Sequence, residues 1–272
     1  MKTTTVKSRK ASIVSHRHLL NMMGMPVWEA LPAREVPYEL SDPFILVHEA
    51  TLKISPEMAN LDTEHPHRGF DNMWYVIKGT TSTGHTTGPG GTIERARLPE
   101  GSLLHLRTGR GVRHAEGIGA DQLREGLEGS EVRTVLFWVN LARKDKQVEP
   151  KALILQAEDL DRIQEGDATS RVLVGEDSAV QLGTPALILD VTLKRGGRTT
   201  HSVPADFQGF VYLLEGAASF GSNGAPAEEG QLVLMGPGEG FGVDDAKPGT
   251  RYLLMAGRPY GEVPRFNGPY VD

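Results

Sequence analysis

The chain contains no cysteine among its 272 residues. This absence excludes disulfides, thiolate metal sites and cysteine nucleophiles, so any transition metal must be held by nitrogen and oxygen ligands. There is also no run of the roughly 20 apolar residues that a membrane-spanning helix needs, and no apolar leader before a cleavage site. A formal net charge of -6 gives no basic surface for nucleic acid. We therefore expect a soluble, cytoplasmic protein that binds neither nucleic acid nor membranes.

Glycine and proline, with 32 and 17 residues, divide the chain at short intervals. The segments between them are rich in β-branched, aromatic and aliphatic residues, which favours strands joined by tight turns. Residues 73–77, 103–106 and 132–139 are three predicted strands. Apolar residues at three-residue spacing predict one surface helix over residues 156–165. The pattern as a whole is typical of an all-β barrel or sandwich.

Two short segments occur twice. Residues 75–79 recur as 212–216, and residues 100–104 recur as 229–233. In each half a strand runs into a glycine turn, and a later Glu-Gly turn precedes another strand. This order is what a double-stranded jelly roll of the cupin type requires. We predict an all-β fold of two tandem cupin barrels (double-stranded β-helices) with minor helices.

A polar, charged segment that ends at Pro150 has the composition of a connector between domains. We therefore predict an N-terminal barrel in residues 1–149 and a C-terminal barrel in residues 150–272.

The strongest signal for chemistry is His65-Pro66-His67. Side chains two residues apart on an extended segment point the same way, and Pro66 favours extended backbone. His114 and Glu116, which follow a glycine turn, form a second pair with the same spacing. Together the pairs supply three nitrogens and one oxygen, a set that suits Fe and also Mn, Ni, Cu or Zn. We predict one mononuclear metal site, of the kind that suits iron, in the first barrel.

A single His-X-His pair in a β protein is more often a surface or hydrogen-bonded pair, and the chain would then be a metal-free structural bicupin. Two pairs within one barrel favour a metal site. The second half is an internal control, because the repeat offsets carry the four ligand positions onto Ser202, Pro204, Val243 and Asp245. The second barrel is therefore predicted to lack a site, with nearby His201 an ordinary surface histidine.

Several other polar residues are given structural roles. His85 and His105 are predicted to be packing or hydrogen-bonding residues. Arg68 and Arg110 flank the ligand pairs, and we favour pairing with a carboxylate over contact with an anionic substrate.

Segments 65–70 and 109–116 resemble the two motifs of the pirin family, and segments 137–146, 257–262 and 268–271 are also similar to pirins. The resemblance runs from about residue 42 to the end of the chain. It implies a monomeric bicupin whose N-terminal barrel holds one iron. The iron ligands would be His65, His67, His114 and Glu116.

Several pirins resemble quercetin 2,3-dioxygenases, which open the central ring of a flavonol with O2. The resemblance thus implies an oxidoreductase, a quercetinase-like dioxygenase that uses O2 and a small aromatic substrate, with Glu116 also acting as a catalytic base. The alternative is a non-enzymatic, metal- or redox-responsive protein that binds a transcription factor or a metabolic enzyme. Where pirins carry a Glu-Thr pair and a further threonine, this chain has Asp71, Asn72 and Trp74, which indicates a differently shaped pocket.

Overall fold

The computed structural model describes residues 7–22, 24–61, 63–87, 89–117 and 120–272. In chain order, the first strands are β1 (Ala11–His16), β2 (His18–Met22), β3 (Met25–Leu31), β4 (Phe44–Lys53), β5 (His65–His67), β6 (Phe70–Lys78), β7 (Thr80–His85), β8 (Glu94–Pro99), β9 (Leu103–Arg107), β10 (Val112–Gly117), β11 (Glu131–Asn140) and β12 (Lys151–Leu155). The later strands are β13 (Arg162–Glu165), β14 (Ala168–Val174), β15 (Ala186–Leu193), β16 (Gly197–Ser202), β17 (Gln208–Glu215), β18 (Ala217–Phe220), β19 (Ala225–Glu228), β20 (Gln231–Met235), β21 (Gly240–Ala246), β22 (Thr250–Gly257), β23 (Phe266–Asn267) and β24 (Tyr270–Val271).

The helices of the described residues are short. They are α1 (Tyr38–Ser41), α2 (Pro56–Ala59) and α3 (Ala120–Arg124), with 3-10 turns at Pro89–Gly91 and Arg143–Asp145. In the part of the chain that the structure describes, none of them has the length and apolar character that crossing a membrane takes. The all-β prediction with minor helices is confirmed.

The three predicted strands are present, within β6, β9 and β11. The helix predicted over residues 156–165 is wrong, because its last residues form β13, which pairs antiparallel with β14. Gly166, with a φ of 59°, and Asp167 form the two-residue turn of this hairpin. The spacing misled because its apolar residues share no buried face: Leu160 is buried, whereas Ile163 is exposed.

The chain forms two compact units, each with its own barrel. One unit consists of Leu19–Glu29, Ile45–Asp159 and Glu262–Asp272. The other contains the residues up to His18, together with Ala30–Phe44 and Leu160–Gly261. Each unit therefore combines segments that are distant in sequence. A division into residues 1–149 and 150–272 stays a prediction.

Both barrels are built from a seven-stranded sheet and a four-stranded sheet. The first barrel has the orders β12-β9-β6-β11-β4-β3-β2 and β5-β10-β7-β8. The second has the orders β1-β20-β17-β22-β15-β14-β13 and β16-β21-β18-β19. The repeated turns also match in backbone, because φ is 79° at Gly79 and 78° at Gly216, and 82° at Gly101 and 81° at Gly230. Only glycine adopts such angles readily, so both copies of each turn need it.

The interior of the first barrel lies between its two sheets. The buried apolar cluster there draws on strands of both sheets and consists of Trp74, Val76, Leu98, Leu104, Leu106 and Val112. Because side chains alternate along a strand, the face of β6 that carries Trp74 also carries Phe70 and Asn72. On β10, the face that carries Val112 also carries His114 and Glu116. The predicted site residues therefore line the barrel interior.

Candidate metal centre

Three histidines meet on the inner face of the four-stranded sheet. His65 and His67 lie on β5, and His114 on β10 pairs in register with His65. Nε2 of His65 lies 3.0 Å from Nε2 of His67 and 3.1 Å from Nε2 of His114. Nitrogens of all three rings lie within 4.8 Å of one another, so the group could hold a metal ion. The structure thus brings together three of the four predicted ligands.

Backbone carbonyls orient two of these rings. Nδ1 of His65 lies 2.6 Å from the carbonyl oxygen of Thr63, and Nδ1 of His67 lies 3.1 Å from that of Pro269. A carbonyl can only accept a hydrogen bond, so each Nδ1 carries the proton and each Nε2 presents a lone pair. Lone pairs 3.0 Å apart repel each other unless a cation lies between them. The donor set therefore fits a bound metal.

The spacing of the nitrogens also fits a metal with open positions. With metal–nitrogen bonds of about 2.1 Å, two ligands at a right angle lie ~3.0 Å apart, and two at the tetrahedral angle lie ~3.4 Å apart. The Nε2 distances of 3.0 and 3.1 Å match the right angle. Such angles are typical of five- or six-coordinate centres.

Burial keeps His67 and His114 neutral. Burial, together with a smaller effect of the neighbouring His65, lowers the pKa of His67 to about 3. Burial, followed by repulsion from His67 and His65, holds the pKa of His114 well below its usual value. Metal ligation requires deprotonated nitrogens. At neutral pH these rings are in the form that a metal needs.

Glu116 lies two residues beyond His114 on β10, on the same face of the strand. Its carboxylate oxygens do not belong to the group of ligand atoms that all lie within 4.8 Å of one another. Oε2 is buried and has no hydrogen-bond partner within the described residues. Burial raises the pKa of Glu116, and the nearby His65 opposes that rise. A buried carboxylate oxygen without a hydrogen bond is unfavourable by itself and is stabilised by a neighbouring cation.

The inner wall around the histidines contains further unpaired polar atoms. Nδ2 and Oδ1 of Asn72, Nε1 of Trp138 and Nδ1 of His114 are buried and have no hydrogen-bond partner among the residues described. Each such group costs about 1–3 kcal/mol if it stays unpaired. The wall is also aromatic, because Phe70 and Trp138 stack at 4.0 Å and the Trp138 ring lies 5.0 Å from His67.

A cavity of about 280 Å³ lies beside Glu116. Its wall includes the cross-strand neighbours Ala115, Gly84 and Arg95, which lie on the face of the four-stranded sheet opposite to that of Glu116. The histidines do not line it. The cavity therefore does not open onto the three imidazoles.

The C-terminal segment fixes the second histidine, a role that the sequence did not reveal. Besides Pro269, which accepts from His67, Val271 donates its backbone N–H to the carbonyl oxygen of Arg68. Arg68 forms two hydrogen bonds to Asp272, of 2.7 and 3.0 Å, and its guanidinium lies 4.9 Å from the ring centre of Tyr270. The structural role predicted for Arg68 is confirmed.

Lys146 also binds the C-terminal segment. Its buried ammonium donates to the carbonyl oxygens of Gly69 and Val271 at 2.8 and 3.1 Å, and to Oδ1 of Asn140 at 2.8 Å. Burial lowers the pKa of Lys146 to about 8. The resemblance of this tail to pirins was visible in the sequence, but no local pattern placed it beside a metal ligand.

The structural roles predicted for three other residues are confirmed. His85 is buried, pairs in register with His114, and lies 2.8 Å from the Thr87 hydroxyl. His105 lies 2.9 Å from the buried carboxylate of Asp71. Arg110 pairs with Glu149 at 2.9 Å.

In the second barrel, the prediction that His201 is a surface residue is wrong. The ring is fully buried, with Nδ1 2.8 Å from Glu165 and Nε2 2.6 Å from the hydroxyl of Tyr252. The prediction failed because the aromatic core of the second barrel covers the face of β16 that carries His201. Of the positions that the repeat aligns with His114 and Glu116, Val243 lies in that core and Asp245 is exposed.

Comparison with known proteins identifies relatives of this chain and proteins of the same fold. The model of the pirin C-terminal cupin domain matches residues 188–272. Pirin-1 of Arabidopsis thaliana is 31% identical over 245 residues, which cover 87% of this chain and 79% of that protein. A quercetin 2,3-dioxygenase structure from Acinetobacter baumannii has a TM-score of 0.82 at 25% identity, over 97% of this chain and 91% of that one.

The bacterial pirin YhhW from Escherichia coli, solved in complex with nickel(II), shares the fold. Its TM-score is 0.68 at 13% identity, over 91% of this chain and 98% of that one. Because the identity to Pirin-1 extends over most of both sequences, the chain belongs to the pirin family.

Proposed function

We propose that the protein is a metal-dependent dioxygenase with quercetin 2,3-dioxygenase-like activity on a flavonol-type substrate. The observation that carries the proposal is the convergence of three imidazole Nε2 atoms, at 3.0 and 3.1 Å, inside a barrel wall that includes aromatic rings. His65, His67, His114 and Glu116 would hold the metal, and their nitrogen and oxygen donors suit iron. Similarity to a solved quercetin 2,3-dioxygenase over 97% of the chain supports this activity.

A metal in this site supplies Lewis-acid and redox chemistry toward the substrate hydroxyl and O2. The proton of that hydroxyl goes to Glu116. Its buried Oε2 has no other hydrogen-bond partner within the described residues, and burial raises the pKa of the carboxyl group, which strengthens it as a base. His67 and His114 stay neutral, so their Nε2 lone pairs face the metal position and leave Glu116 as the proton acceptor.

The stacked rings of Phe70 and Trp138 form an apolar aromatic wall beside His67. A planar aromatic substrate can lie against such a wall, and the contact removes water from the reacting atoms. Carbonyl oxygens of Thr63 and Pro269 keep two of the histidines oriented while the substrate binds. The chain's own residues therefore provide orientation, a proton acceptor and exclusion of water.

The test begins with protein purified without a metal-binding tag, whose metals are measured by elemental analysis. The iron-loaded form is then assayed with quercetin under air. We expect about one metal per chain and turnover, and loss of both in the double variant His65→Ala/His114→Ala. The matched control is His105→Gln, which removes a buried imidazole from the same barrel and keeps both metal and turnover.

Glu116→Gln separates the base from the metal site. We expect it to keep most of its metal and to lower kcat by about 10²- to 10⁴-fold. Full turnover in this variant would contradict the role of Glu116 as base. One metal per chain without turnover in the wild type would contradict the dioxygenase and favour a redox-responsive binding protein. Absence of metal would contradict the site itself.

A further inference from the structure

Asn72 is the most unusual polar residue of the first barrel. Its side chain is fully buried, and neither Nδ2 nor Oδ1 has a hydrogen-bond partner in the described part of the chain. Buried amides are nearly always paired, so one that lacks both partners indicates a binding partner outside the chain. The mechanism above does not use it.

Trp138 shares this property. It lies directly opposite Asn72 in the register of β11 and β6, so the two side chains leave the sheet on the same face, about 5 Å apart at Cβ. Nε1 of Trp138 is also buried and without a hydrogen-bond partner among the described residues. Two N–H donors, one from each residue, are thus available side by side on the inner wall.

The position of this pair relative to the metal centre follows from ring contacts. Trp138 lies 5.0 Å from His67 and stacks on Phe70 at 4.0 Å. A flat molecule that reaches the histidines along this wall would bring its polar edge to Asn72 and Trp138. The pair is therefore placed to contact the same molecule that the metal centre binds.

The chemistry of the pair selects one class of group. Both donors are uncharged N–H groups, and a carbonyl oxygen, which has two lone pairs, can accept from both of them. The matching edge is that of an aromatic ketone.

We propose that Asn72 and Trp138 bind the keto oxygen of the substrate and so determine the preference of the site for aromatic ketones. The inference rests on the proposed function for the identity of the substrate as a flavonol-type compound. Of the two residues, Asn72 is the one at which this chain departs from the pattern of the pirins that it resembles, because those pirins carry threonine there.

The experiment measures binding by calorimetry to metal-loaded protein, with two probes. Flavone carries the keto oxygen and lacks the reactive hydroxyl, and flavan lacks the keto oxygen. We expect the wild type to prefer flavone. Asn72→Leu, which keeps the size and removes the amide, should weaken flavone binding by about 10- to 100-fold and change flavan binding less than twofold. Trp138→Phe, which keeps a ring and removes the N–H, should act in the same direction.

Trp74→Phe is the matched control, because it removes an indole N–H two residues along the same face of β6. It should leave the ratio of the two affinities unchanged, and all three variants should keep the metal content of the wild type. Equal loss of both probes in Asn72→Leu, or no loss of flavone binding, would overturn the inference; the latter is the result if an internal water is the only partner of Asn72. A wild type without preference for flavone would overturn it too.

This outcome is separable from that of the proposed function. A wild type that prefers flavone through Asn72 but does not turn over quercetin would contradict the dioxygenase and preserve the inference. Turnover of quercetin with an unchanged probe ratio in Asn72→Leu would overturn the inference alone.

Discussion

The two barrels have the same pair of sheets and the same turn geometry, but their interiors differ. In the first, three imidazoles converge and several buried polar atoms lack hydrogen-bond partners within the described residues. In the second, the core includes Phe220, Phe241 and Tyr252, and Phe241 pairs with His201 as His114 pairs with His65 in the first. The sheets are a shared scaffold, and a handful of inward-facing side chains determines whether a barrel can hold a ligand.

Buried histidines show the difference most directly. His201 of the second barrel has both ring nitrogens hydrogen-bonded, to Glu165 and to Tyr252. His114 of the first barrel has its Nε2 directed at another Nε2, and its Nδ1 lacks a partner in the described chain. A histidine with both nitrogens satisfied stabilises the fold, whereas converging nitrogens that cannot bond to each other indicate a site for a cation.

We expect the largest effects from exchanging residues that the sequence repeat matches between the two barrels. We expect His114→Val to reduce the metal content from about one per chain to near zero, because it leaves only two imidazoles. Val243→His should bind no additional metal, since its surroundings are aromatic and aliphatic, and should lower the free energy of unfolding by about 2 kcal/mol through burial of a polar ring. Elemental analysis and denaturant unfolding measure both. A second metal in Val243→His would show that the aromatic core adapts to a ligand.

Lys146→Met tests how strongly Lys146 stabilises the C-terminal segment that orients His67 in the first barrel. The change leaves the acceptors on Gly69, Asn140 and Val271 without their buried donor. We expect the free energy of unfolding of the metal-free protein to fall by about 2–3 kcal/mol. Lys247→Met, an exposed lysine of the second barrel, is the control and should stay within ~0.5 kcal/mol of the wild type.

The same lysine gives a pH dependence with a defined sign. Burial lowers the pKa of Lys146 from its ordinary 10.5 to about 8. Between these values the unfolded lysine holds its proton and the folded one has lost it, so the free energy of unfolding rises with pH, by up to about 1.4 kcal/mol per unit. Below pH 8 both states are protonated and this contribution to the slope disappears. Lys146→Met should lack the rise, and parallel curves for the two proteins would contradict the assignment.

Among Val243→His, Lys146→Met and His201→Leu, we expect His201→Leu to change the free energy of unfolding least. It leaves the hydroxyl of Tyr252 buried without its partner, so we expect the free energy of unfolding to fall by about 1–2 kcal/mol with the metal content unchanged. Tyr252→Phe removes the other side of the same hydrogen bond, and the double variant should cost less than the sum of the single changes. Loss of metal in His201→Leu would mean that the second barrel contributes to the site of the first.

Local sequence patterns were sufficient to predict features that depend on neighbouring residues. β6, β9 and β11 follow from short apolar runs between glycine turns, and the repeated glycines at positive φ mark the two barrels. The spacing of His65 and His67 places both rings on one face, as a strand requires. The helix over residues 156–165 failed because a spacing of three was given more weight than the hairpin turn that follows it.

The all-β fold, the repeat, the family resemblance and the two residue pairs proposed as ligands could be predicted from the sequence, because each depends on neighbours within a few positions or on a motif. The folded structure was needed to see that Pro269 orients His67, that Lys146 anchors the tail, that His201 is buried, and that Asn72 and Trp138 lie side by side. These contacts join residues that are tens to hundreds of positions apart. Their partners are chosen by the register of the sheets and by burial, and no local pattern of side chains encodes either.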